Sequence, residues 1–117
     1  MKPRIERALA AAQQHFVSGR LEKAEALLKG VLATVPDCVE ALEGLAFVTA
    51  KKGENQRALE ALERLTTIRP QLAEAHYGKG CFLGMMGRYD DEMAAYRAAI
   101  ALKPNFTQAY VNMGVAL

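Results

Sequence analysis

The chain has 117 residues, 51% of them apolar and 24% charged, with 15 Lys and Arg against 13 Asp and Glu for a net charge of +2. That is enough chain and enough hydrophobic content for one compact domain rather than a disordered tail, and the evenly spread surplus of charge announces neither a nucleic-acid nor a membrane-surface patch. Cys38 and Cys81 are far apart, with no Cys or His at ligand spacing, which argues against a disulfide framework or a zinc site and fits a reducing compartment.

In chain order, the opening MKPRIERALAAAQQHF carries charges at Lys2, Arg4, Glu6 and Arg7 and never reaches a continuous apolar run. It reads as neither signal peptide nor membrane span, so a cytoplasmic location is expected. Apolar residues three and four apart predict helices over about 4–17 and 21–34, separated by Gly19 and ended before Pro36. The run Leu42, Leu45, Ala46, Thr49 predicts a helix over 39–51, and after Gly53 the run Ala58, Leu59, Leu62, Leu65 predicts one over 55–68. Beyond Pro70 the same pattern gives 73–85, a turn at Gly87, 89–102, a stop at Pro104 and a last helix over 106–117. No strand is expected. Each proline lacks a backbone donor and disfavours helix in the residue before it, so it ends a helix; Asp37 and Asn105 then supply turn or cap chemistry.

The punctuation is periodic. Pro36, Pro70 and Pro104 are 34 residues apart, as are Gly19, Gly53 and Gly87. A small-residue column runs Ala12, Ala46, Gly80, Gly114, and another pairs Ala24 with Ala58. Each unit is therefore a helical hairpin whose helices approach closely at small side chains. Helices this short are marginal alone in water and must be stabilised by neighbours, so the hairpins are expected to stack.

These residues resemble the tetratricopeptide repeat family, whose pattern is W-x2-L-G-x2-Y, then A-x3-F, then P. The stretch AEAHYGKGCFLGMMGRYDDEMAAYRAAIALKPN matches at Gly80, Gly87, Tyr89, Tyr96, Ala99, Leu102 and Pro104; the unit before it matches at Leu42, Leu45, Ala46, Gly53, Ala58, Leu62, Leu65, Ile68 and Pro70; the first matches at Ala12, Gly19, Ala24, Leu28, Val31 and Pro36. TQAYVNMGVAL falls in register as a further first helix. The resemblance implies an all-α, right-handed α-solenoid of stacked antiparallel hairpins. Its units fall at about 3–36, 37–70 and 71–104, with a partial one at 105–117, in a single domain over 1–117. Lys79 and Glu92 depart from the family pattern, and the hairpin geometry predicts that they pair. Tyr110, Val111, Met113, Val115 and Leu117 cover more than one face of the last helix, so the chain reads as the N-terminal fragment of a longer protein, or as one that self-associates through 106–117.

The resemblance further implies a protein-interaction scaffold that binds a peptide or helix in its concave groove, without catalysis, cofactor or metal. The alternative is the substrate- or partner-recruiting arm of a larger enzyme such as a transferase. The expected groove residues are Glu6, Leu9, Gln13, Phe16, Glu40, Glu43, Phe47, Glu74, Tyr77, Cys81 and Met85: apolar with an acidic edge. Such a groove suits a partner with an apolar stripe and basic residues, neither nucleic acid nor membrane. The competing reading of the acids is a solvated face that complements the helix dipoles. A subset of the family grips acidic chaperone tails with Lys, Asn and Arg, but here those places hold Leu9, Gln13, Gly44, Glu74 and Gly78, so such tails are not expected. The column used elsewhere for an asparagine ladder reads Ala10, Gly44, Gly78, Asn112. His15 and His76 are expected to pack, Cys81 to fill space, and Asp90, Asp91 and Glu92 to suit a helix start.

Overall fold

The computed structural model describes residues 3–114. Among them are seven helices and no strand: α1 (Pro3–Val17), α2 (Leu21–Thr34), α3 (Val39–Lys51), α4 (Asn55–Ile68), α5 (Ala73–Met85), α6 (Tyr89–Leu102) and α7 (Thr107–Met113). By packing, the chain divides into two compact units, Met1–Ala61 and Leu62–Leu117.

Two kinds of junction alternate. At Gly19, Gly53 and Gly87 the backbone turns left-handed, with φ of +80°, +81° and +76°. The next amide reaches back five residues, from Arg20 to His15 O at 2.8 Å, Glu54 to Thr49 O at 2.8 Å and Arg88 to Leu83 O at 2.9 Å. This glycine-dependent closure satisfies the last carbonyls of α1, α3 and α5, and a Cβ would strain it. At the prolines a β-turn takes over: Cys38 N donates to Val35 O at 3.1 Å and Phe106 N to Lys103 O at 3.0 Å, with proline second in each turn. Asp37 and Asn105 occupy the third position of these turns and cap nothing. The N-cap falls one residue later, on Cys38 and Phe106, and neither makes a side-chain cap bond.

In the first unit the core joins Ile5 and Ala12 of α1, Ala24, Leu28 and Val31 of α2, and Cys38, Ala41 and Val48 around α3. In the second it joins Ala73, Tyr96, Ala99, Phe106 and Ala109, with Tyr77, Cys81 and Met93 against them. Volume is exchanged across the hairpin seam. Where the first unit has Ala12 and Leu28, the second has Gly80 and Tyr96, and a Cβ on Gly80 would collide with the Tyr96 ring.

Two expectations fail locally. Lys79 and Glu92 form no ion pair: Glu92 Oε2 accepts the Tyr96 hydroxyl at 3.0 Å, one turn along the same helix, and its carboxylate lies over Gly84. The last helix stops at Met113 because Gly114 turns left-handed at φ +78°. Of its apolar residues, Tyr110 and Met113 are half-buried, Met113 against the second core, and Val111 is 64% exposed. Val115 and Leu117 lie outside the described residues.

Candidate functional site

In the first unit, α1 contributes Leu9, Ala12, Gln13 and Phe16, successive positions of one helical stripe, and α3 contributes Glu40, Gly44, Phe47 and Val48, another. With Leu28 of α2 they line a pocket of about 350 Å³, at the small end of ligand-binding cavities. Gly44 lies directly over Leu28, where a Cβ would come 3.0 Å from Leu28 Cδ2, so side-chain bulk there would press on the floor. Phe47 is 65% exposed, an unusual setting for a phenylalanine. Glu40 Oε2 accepts the Cys38 thiol at 3.4 Å. Burial pushes that thiol's pKa up and the Glu40 carboxylate pushes it further, so Cys38 stays a protonated donor.

Five of the expected groove residues, Leu9, Gln13, Phe16, Glu40 and Phe47, thus meet at one pocket. Glu6 and Glu43 are exposed and stand outside its lining. In the second unit, Tyr77 and Cys81 are half-buried while Glu74 and Met85 are exposed. Tyr77 stacks at 5.0 Å from Phe106 and 5.8 Å from Tyr96. Asn112 donates to the Tyr77 hydroxyl at 3.1 Å and the Tyr96 hydroxyl at 3.4 Å. The one asparagine on the ladder column is therefore spent on tying α7 to α5 and α6. Burial raises the pKa of both phenols, which remain neutral donors and acceptors at physiological pH.

The remaining polar candidates hold turns together. Arg20 Nε donates to His15 Nδ1 at 2.8 Å across the Gly19 turn. His76 Nε2–H donates to Pro70 O at 2.8 Å, bracing the entry to α5. Asp91 pairs with Arg88 at 2.9 Å at the start of α6. Among the described residues no three His, Cys, Asp or Glu side chains gather into a metal site, and no helix is long and apolar enough to cross a membrane.

One cluster escaped the sequence reading. Glu25, 4% exposed, sits in α2 under three cations: Lys29 at 2.7 Å, Lys52 at 2.7 Å and Arg57 at 2.6 Å. Lys52 also pairs with Glu22 at 2.6 Å, and Arg57 with Glu54 at 2.7 Å, so charges from α2, the Gly53 turn and α4 interlock. Burial alone would raise the Glu25 pKa; the hydrogen bonds from Lys29, Lys52 and Arg57 outweigh it and bring it down to about 2. The signal was its column: one and two repeats later the same position holds Leu59 and Met93, the former 1% exposed.

Residues 16–80 and 73–106 each match the tetratricopeptide repeat. Over 110 residues the chain is 31% identical to Protein O-mannosyl-transferase TMTC1 of Mus musculus, covering 91% of this chain and 12% of that protein. Over 101 residues it is 30% identical to Protein CTR9 homolog of Arabidopsis thaliana, covering 86% and 9%. The chain thus spans a small part of these relatives' length. Among solved structures, a crystal structure of MamA protein superimposes with a TM-score of 0.86 at 28% identity, over 94% of this chain and 60% of that one. A Thermobaculum terrenum O-GlcNAc transferase mutant gives 0.80 at 26%, over 97% and 22%. A helical hairpin returning every 34 residues, closed by glycine at its tip and by proline at its end, is the tetratricopeptide repeat, and the chain belongs to that family.

Proposed function

We propose that the chain is a protein-interaction module whose first unit takes a peptide or helix across the facing stripes of α1 and α3. The observation that carries this reading is the pocket: Leu9 and Phe16, half-buried against the core residues Leu28 and Val48, form an apolar surface, with Phe47 standing out from it and Glu40 supplying a carboxylate. An apolar stripe with a basic residue beside it is the complementary partner. An exposed phenylalanine raises affinity by leaving water on binding, and the carboxylate selects against acidic segments. The wild-type chain should therefore enrich basic-apolar peptides from a random displayed library. Glu40→Lys should abolish their capture while the chain stays folded, with a modestly lower thermal midpoint from the lost Cys38 thiol bond and the reversed charge in the first turn of α3. Capture undiminished by Glu40→Lys would rule the face out.

The alternative, a recruiting arm of a larger enzyme such as a transferase, is favoured by one observation: two of the similar proteins are transferases in which the matched segment covers 12% and 22% of the length. In this reading the same face is used, and the captured peptide is a substrate or a partner of the attached activity.

A further inference from the structure

We propose that the α1–α3 pocket is an anchor site for a single arginine side chain of the partner, an inference that rests on the peptide-binding reading above. The first ground is the state of Glu40. Among the described residues no ion pair reaches Glu40, a state it shares with Glu63 and Glu74, but Glu40 alone of these lines the apolar pocket, where its hydrogen bond comes from the Cys38 thiol. A charged carboxylate on an apolar pocket is costly to cover with anything that cannot pair with it, so an aliphatic plug such as leucine is disfavoured and a cation is favoured.

The second ground is the shape of the remaining wall. Leu9 and Phe16, half-buried against the core residues Leu28 and Val48, offer the apolar surface for a long aliphatic stem, and Gly44, one turn after Glu40, leaves the approach to it without a side chain. Phe16 and Phe47 add two aromatic rings to the same lining. A planar guanidinium stacks on such rings and binds a carboxylate with two parallel bonds, while an ammonium does neither as well. Gln13, on the opposite helix, belongs to the same lining, and its amide oxygen is able to accept a further guanidinium N–H. Two aromatic rings in the lining beside an unbridged acid favour arginine over lysine.

The test selects peptides from a random displayed library on the wild-type chain, then measures the best binder by fluorescence anisotropy beside two synthetic forms in which its arginine is citrulline or norleucine. Arginine-containing peptides should be enriched, and the neutral isostere citrulline should bind about tenfold more weakly or worse. Glu40→Gln should erase that difference by weakening the arginine form to the level of the citrulline form. Enriched peptides without arginine, or a citrulline form that binds equally well, would overturn the anchor while leaving the groove as a peptide site. A selection that yields no peptide at all would remove both. Because the citrulline comparison uses the unaltered protein, it decides the matter even if Glu40→Gln does not fold.

Discussion

Glu25→Gln is expected to lower the unfolding free energy by about 3 kcal/mol near neutral pH, the value of a carboxyl pKa held far below its ordinary level. The folded Glu25 carboxyl titrates at about 2 against an ordinary 4.5. A depressed folded pKa stabilises above the unfolded value and loses that contribution as pH falls through the folded one. The difference between wild type and Glu25→Gln should therefore be full above about pH 5 and close as pH approaches 2. Glutamine keeps the volume and one acceptor, Lys52 keeps Glu22 and Arg57 keeps Glu54, and Lys29, which loses its one ion pair, is 56% exposed and returns to water. The loss thus reports the central carboxylate and not a stranded cation. Urea unfolding across that pH range measures it; a gap below about 0.5 kcal/mol at neutral pH, the scale of an exposed pair, would show that the cluster is wet.

Gly80→Ala should cost about 1–3 kcal/mol by overpacking, although alanine is the better helix former by up to about 1 kcal/mol. The Tyr96 ring is 1% exposed and lies where the new methyl group would go. Its hydroxyl is held by Glu92 and Asn112, so it cannot swing away freely. In a Tyr96→Leu background, which restores the small-and-large combination of Ala12 and Leu28, the same substitution should be neutral or stabilising. That coupling, read from the four unfolding free energies, should exceed about 1 kcal/mol. Equal costs in both backgrounds would mean that the seam is not set by these two side chains.

The first six helices were legible because glycine and proline are stereochemical statements. A left-handed turn at Gly19, Gly53 or Gly87 and a donor lost at Pro36, Pro70 or Pro104 leave little freedom in where a helix ends. The seventh misled for the same reason. Gly114 lies on the column of Gly80, which stays helical under the Tyr96 ring; among the described residues nothing lies within 4 Å of where a Cβ on Gly114 would be, and it turns left-handed. Side-chain partners were less legible than the backbone. Lys79 and Glu92 faced each other on paper, yet the Tyr96 hydroxyl reached Glu92 first, from four residues away on its own helix. The acidic column also proved uneven, since Glu40 lines the pocket while Glu6 stays outside it. Periodicity places residues on a face, but it does not say which of them converge. The buried Glu25 was hidden by its charge, although the apolar company of its column marked an interior position.

The most direct measurement is amide-resonance mapping by NMR of the wild-type chain titrated with the best peptide from the displayed library. We predict that the largest shifts fall at Leu9, Gln13, Phe16, Glu40, Gly44 and Phe47, the two helical stripes that line the pocket. Shifts confined to the exposed residues of α2, such as Glu22, Lys23 and Ala26, with the α1 and α3 amides unmoved, would contradict peptide capture by this face.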